Sequence, residues 1–157
     1  MSIQISSEAF APDEMIPSKF TADGQNISPT LRWGELPPGT KELALIVDDP
    51  DAPREQPFVH WVMYKIPADA DGLPEHLPTQ TALQSPPGAV QGNNSFGKIG
   101  YGGPAPPSGH GTHHYHFHLY ALDQPLQVKG GMDKESLIAV MSGHILDEGD
   151  LVGMYQR

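Results

Sequence analysis

Hydrophobic positions fall into short runs of strand length, separated by stretches rich in glycine and proline. Ser2 to Ser6 reads as a first strand, with Ile3 and Ile5 on one face. Leu31 to Trp33 reads as a second, after a turn at Asp23-Gly24. Leu43 to Val47, LALIV, is a continuous apolar run, the pattern of a strand buried on both faces. Phe58 to Ile66, FVHWVMYKI, is apolar on both faces apart from His60 and Lys65. From His113 the chain alternates to Leu122. His113, Tyr115, Phe117 and Leu119 share one strand face; His114, His116, His118 and Tyr120 share the other. The runs at 43–47, 58–66 and 113–122 are expected as central strands of one antiparallel assembly.

Two other patterns interrupt the strands. Leu137, Val140, Met141 and His144 recur at helical spacing with Ile145 beside them, which predicts a helix over Asp133 to Glu148. Asp133 would cap it, Glu135 would complement its dipole and Gly149 would end it. On this reading His144 is only a flank of the packing face, and Leu151 to Gln156 is a short final strand. Pro67 to Phe96 has no clear period and many breakers, so it should wrap the sheet or cover a site. Gly100 to Gly111 should be an ordered, irregular loop, because glycine is too free and proline lacks the N–H for helix or central strand.

Composition narrows the class. The chain has 157 residues, 38% of them hydrophobic, which predicts a single domain over 1–157 with a real core. Seventeen glycines and seventeen prolines fit a mainly β fold with long connections. With no cysteine, neither disulfides nor a thiolate metal site can hold the fold. The N-terminus shows no signal peptide and no run approaches membrane-helix length, so a soluble, cytoplasmic protein without integral membrane association is expected. The net charge of −10 argues against nucleic acid, whose binding relies on Lys/Arg neutralising phosphates. An anionic ligand would have to be held locally, against the mean field of the protein.

The candidate chemistry lies at strand ends. LALIV runs into Asp48-Asp49-Pro50-Asp51-Ala52-Pro53. Asp and Pro serve turns for local reasons. Three carboxylates leaving a buried strand together, however, are costly without a partner. A hairpin through this turn would bring His60 near Asp49 and Asp51. The Gly/Pro loop feeds a strand whose first inward side chains are His113 and Tyr115, a plausible ligand wall. Gly92 to Ile99 is a near miss to a phosphate-binding P-loop. It has Ile99 at the Mg²⁺ position and no helix after it, which excludes a nucleotide hydrolase.

Together these stretches resemble the phosphatidylethanolamine-binding protein family. The resemblance rests on DPDAP at Asp49 to Pro53, on His60-Trp61, and on the series Gly100-Tyr101-x-Gly103-Pro104-x-Pro106-Pro107-x-Gly109-x-Gly111-x-His113-x-Tyr115-x-Phe117. It extends through Ile16-Pro17, Asp23-Gly24-x-Asn26-x-Ser28-Pro29-x-Leu31-x-Trp33, and Gly143-His144 to Leu151-Val152-Gly153-x-Tyr155. The chain looks most like the compact bacterial and archaeal branch, often called Raf kinase inhibitor-like. The resemblance implies a central antiparallel Greek-key β-sheet assembly with one or two peripheral helices. It also implies a pocket for phosphate-like anions built by Asp49, Asp51, His60, Pro106, Pro107, His113 and Tyr115. It further implies a homodimer and permits modulation or inhibition of another enzyme; the pocket carries no obvious nucleophile, so a non-enzymatic role without a cofactor is expected. The sequence names no protein partner. Ala22 stands where related chains often carry Cys. The long C-terminal helical extension of the animal proteins is missing, so kinase regulation does not carry over.

In such a pocket a carboxylate beside an imidazole should favour the imidazolium form, so that His60 or His113 donates to a small oxyanion or phosphorylated ligand. Backbone N–H groups of the glycine-rich loop and the Tyr115 hydroxyl would add donors. The alternative is a metal-dependent enzyme using the His-rich strand 113–118, since histidines two apart on one face can ligate zinc. A serine hydrolase is disfavoured, because no G-x-S-x-G elbow occurs.

Overall fold

The computed structural model describes residues 2–157. In chain order its strands are β1 (Ile5–Ser6), β2 (Leu31–Trp33), β3 (Glu42–Asp49), β4 (Phe58–Pro67), β5 (Gly72–Leu73), β6 (Val90–Gln91), β7 (His113–Leu122) and β8 (Ile145–Tyr155). One α-helix, α1 (Lys134–Met141), and a 3-10 turn at Ser18–Phe20 complete the regular structure among the described residues. The small sheet has the order β1-β2-β5 and the large one β6-β4-β3-β7-β8. Every pair within the sheets is antiparallel. β7 returns beside β3 after β4 and β6 have been laid down on its other side, so the spatial order β7-β3-β4-β6 is a Greek key.

The continuous apolar run of β3 is explained by its two-sided burial. Leu43, Leu45 and Val47 face a large core shared with Trp61, Phe117, Leu151 and the small sheet's Ile5, Leu31, Trp33 and Leu73. Ala44 and Ile46 face a second core with Val62, Tyr64, Leu126, and Leu137 and Met141 of α1. The large sheet is thus a middle layer between the small sheet and the helix, burying side chains on both faces. At roughly 1.5–3 kcal/mol for each fully buried large aliphatic side chain, this two-sided burial supplies the main driving force.

The helix is shorter than its periodicity predicts. Asp133 caps it as expected, accepting from Ser136 N at 2.9 Å. It stops at Met141, because Gly143 takes φ 83°, a left-handed conformation that ends the helix before the expected Gly149. Ile145 to Glu148 then open β8, which pairs with β7 along its whole length. The competing signal was long-range: a ten-residue partner strand outweighs one more helical turn. Val140 and Ile145, on or beside the packing face that helical spacing predicts, stand 36% and 42% exposed.

The stretch from Pro67 to Phe96 wraps the sheet, as its composition suggests. Gln91 holds it there: Trp61 Nε1 donates to Gln91 Oε1 at 2.7 Å, and Gln91 Nε2 donates to Pro78 O and Gln80 O, each at 2.8 Å. Buried Asn94, within the rejected P-loop, forms a turn instead. Its Oδ1 accepts from Phe96 N and Lys98 N at 2.9 and 3.2 Å. No helix is long and apolar enough to cross a membrane among the described residues.

Candidate functional site

The Asp-rich turn is both a turn and a source of buried carboxylates. Asp49 Oδ1 accepts from Asp51 N at 2.8 Å, the local bond that suits Asp to turns. Its other oxygen, Oδ2, lies 2.6 Å from His113 Nδ1, and both side chains are at most 4% exposed. Strand alternation sends Asp48 to the opposite face, where it meets His118 and Lys134. Asp51 lies beyond the strand and accepts from His114 N and Nδ1, both at 2.8 Å. Each of the three carboxylates therefore has its own histidine, which removes the cost of leaving like charges together.

A cavity of about 290 Å³ opens at this end of the large sheet. Asp49, His60, Pro106, Pro107, His113 and Tyr115 line it, as do Arg54, Phe58 and Phe96. Six of the seven expected residues thus meet around one space. Asp51 stays outside, turned toward exposed His114.

His60 reaches the cavity through a bulge. The register of β3 with β4 passes from Val47↔Trp61 to Asp48↔Val59 and skips His60. An extra residue of this kind re-aims a side chain. The ring packs edge-on to Tyr115 at 5.2 Å and to Phe96 at 5.5 Å. Its Nδ1 lies 2.7 Å from Gly102 O. A carbonyl only accepts, so Nδ1 carries the proton. Burial lowers the His60 pKa below its ordinary value, against smaller opposing effects from the Gly102 carbonyl and Asp49. The imidazole is therefore neutral near pH 7, with a bare lone pair on Nε2. This corrects the expectation of a protonated His60: desolvation outweighs the nearby carboxylate. The hairpin does bring the two chain segments together, but the ring hydrogen-bonded to Asp49 is that of His113.

His113 sits in a chain of three groups. Nδ1 donates to Asp49, and Nε2 lies 2.6 Å from Nδ1 of exposed His110. Tyr115 is buried, and its hydroxyl has no hydrogen-bond partner among the described residues. Burial first, and the charge of Asp49 next, push its pKa far above the ordinary phenol value, so it remains a donor. Arg54 brings a cation to the rim, its guanidinium 5.5 Å from the Phe58 ring centroid.

Four glycines of the glycine-rich loop contribute shape rather than donors. Gly100, Gly102, Gly103 and Gly109 donate their N–H groups to Gly92 O, His60 O, Asn26 Oδ1 and Arg157 O. The anion nest expected from this loop is therefore already occupied at these positions. The same bonds clamp the loop, together with Tyr101 Oη donating to Phe20 O at 2.6 Å. Gly103 is required by close approach, because a Cβ there would lie 2.4 Å from Phe20 O.

Sequence reasoning missed Arg54, Phe58, Phe96 and His110. Phe96 had a signal in the long segment expected to cover a site, and Arg54 in its place just after the Asp-rich turn. His114, His116 and His118 share the expected opposite face of β7, and none of them lines the cavity.

Comparison with known proteins agrees with this geometry. The family model described as phosphatidylethanolamine-binding protein matches residues 6–156. A UPF0098 protein of Methanothermobacter thermautotrophicus is 47% identical over 99% of each chain. Two crystal structures superpose closely. CT736 of Chlamydia trachomatis, a homolog of phosphatidylethanolamine-binding protein, has a TM-score of 0.88 and 38% identity, over 99% of this chain and 98% of that one. YbcL of E. coli has a TM-score of 0.91 and 30% identity, over 100% of this chain and 99% of that one. The match along nearly the whole chain, on the same fold, shows that this protein belongs to the bacterial and archaeal branch of the phosphatidylethanolamine-binding protein family.

Proposed function

We propose that the cavity binds a small oxyanion, either a free phosphate-like ion or the phosphate of a phosphorylated or phospholipid headgroup. The observation that carries this reading is the buried hydroxyl of cavity-lining Tyr115, a donor with no hydrogen-bond partner among the described residues. An unsatisfied buried hydroxyl costs about 1–3 kcal/mol, and an incoming oxygen relieves that cost. Arg54 at the rim supplies positive charge that the protein's net charge of −10 otherwise denies an anion. Asp49 does not simply repel the ligand, because its Oδ2 is engaged by His113 and its Oδ1 by Asp51 N. The carboxylate fixes that ring, whose Nε2 carries the hydrogen-bonded chain on to exposed His110.

His60 divides ligands by protonation. Its bare Nε2 accepts from an anion that carries its own hydroxyl hydrogen, as a phosphate monoester monoanion does. A fully ionised anion such as sulfate must first have the ring protonated. Binding of sulfate is therefore coupled to proton uptake and tightens as pH falls. The clamped loop and its prolines hold the wall in shape before binding, which lowers the ordering cost. Among the described residues no serine, threonine, cysteine or lysine lines the cavity. Its lining favours binding over nucleophilic catalysis.

The test is calorimetric titration of sulfate into the parent and Tyr115→Phe at about pH 5.5. Loss of one hydrogen bond to a charged group, about 1.5–3 kcal/mol, weakens binding roughly ten- to a hundredfold. Equal affinity of the two proteins would overturn the reading.

A further inference from the structure

The opposite face of β7 carries a second cluster, away from the cavity. His116 and His118 stack with ring centroids 5.5 Å apart and planes inclined by 10°. Both turn an Nδ1 toward one carboxylate. His116 Nδ1 lies 3.1 Å from Asp150 Oδ2, and His118 Nδ1 lies 3.5 Å from Asp150 Oδ1. The strand register sets this up, since His118 sits directly opposite Asp150 on β8 and His116 is its diagonal neighbour. One ligand atom from each residue falls within 4.8 Å of the others.

We propose that His116, His118 and Asp150 form a surface site for a divalent transition ion of the zinc class. Ligands bonded to one tetrahedral ion at about 2.1 Å stand about 3.4 Å apart. The nitrogen–oxygen separations, 3.1 Å to one Asp150 oxygen and 3.5 Å to the other, lie near that spacing, and one ligand atom from each residue falls within 4.8 Å of the others. An N₂O set suits Zn²⁺ and its neighbours rather than Mg²⁺ or Ca²⁺, which want oxygen. Three protein ligands leave a fourth position to water. That position is accessible, because the histidines are 27% and 28% exposed and Asp150 is 45% exposed.

A supporting shell is already in place. His118 Nε2 lies 3.2 Å from Asp48 Oδ1. The second oxygen of Asp48 accepts from Lys134 Nζ at 2.7 Å, and the carboxylate is 8% exposed. A histidine that gives one N–H to a carboxylate presents its other nitrogen as a lone pair, the arrangement common behind metal-bound imidazoles. With Nε2–H given to Asp48, the neutral His118 ring turns its Nδ1 lone pair toward Asp150, and a cation between them is drawn to both. Lys134 adds positive charge nearby but is held by Asp48, and the overall charge of −10 favours cation approach. His114, the third histidine of this face, is bonded to Asp51 and stays outside the site.

The experiment is Zn²⁺ titration by calorimetry of metal-stripped, untagged full-length protein, with Co²⁺ absorption as a second readout, at about pH 7.5, where free imidazole is neutral. One ion per chain is expected. His118→Ala and Asp150→Asn should each remove that ion, while His114→Ala should keep it. Asp48→Asn should keep the stoichiometry and weaken affinity about ten- to a hundredfold. Circular dichroism shows whether each variant is folded, and His116→Gln serves as the replacement if one is not. Absence of Zn²⁺ binding by the parent, or one ion per chain retained by folded His118→Ala, would overturn the proposal.

Discussion

At the scale of single residues, environment decides which histidine does what. Asp49 lies near both His60 and His113, yet burial keeps His60 neutral while His113 takes the hydrogen bond. The pH consequence of His60 follows from the sign of its shift. Its folded pKa lies below the unfolded value of about 6.5. Stability from the neutral ring is therefore complete above that value, and is lost as pH falls through it toward the folded pKa. His60→Gln, neutral throughout, should lose less stability than the parent between about pH 7.5 and 5.5. Urea midpoints at the two pH values measure this, and equal losses would contradict it. The residue types of the cavity were legible in the sequence, because DPDAP, His60 and the alternation at His113 and Tyr115 are local features. The protonation of His60 was not. It depends on a bulge and on aromatic neighbours, Phe96 and Tyr115, that come from separate segments.

At the scale of elements, period and alternation revealed strands better than they revealed the helix. The span 113–122 and the three-residue strand at 31–33 have the expected bounds. The expected helix over 133–148 is a helix of eight residues followed by a strand. Ile145 fits helical spacing, but pairing with β7 depends on residues more than twenty positions away, and no local window registers that. Gly149 shows the difference. Instead of ending a helix it sits buried within β8, where a Cβ would lie 2.3 Å from Ile3 O. Gly149→Ala must push the N-terminal segment off the sheet edge. By analogy with overpacked cores, it should cost about 1–3 kcal/mol. A lowered urea midpoint with unchanged slope is the expected result, and an unchanged midpoint would contradict the packing described.

At the scale of the whole molecule, a middle sheet with cores on both faces presents one wall to a cavity and the other to a histidine-rich surface. Homodimer formation is a prediction at this scale. It gains support from Ile138, Ile145 and Leu146, which stand 42–43% exposed around α1 and the start of β8. Sedimentation at micromolar concentration should show a species of twice 17.0 kDa, and a clean 17.0 kDa species would contradict it. Net charge is the other property of this scale, and it sharpens the central claim. A protein of charge −10 should reject anions unless its carboxylates are turned to local use. Asp49 is the decisive case, because its Oδ2 holds His113 at 2.6 Å beside the cavity. The most direct measurement is calorimetric titration of sulfate into the parent and Asp49→Asn, each at about pH 5.5 and about pH 8. The account predicts tighter binding by the parent at the lower pH, and weaker binding by Asp49→Asn than by the parent there, despite the loss of a negative charge. Tighter binding by Asp49→Asn at both pH values would show that the carboxylate only repels anions, and would contradict the account.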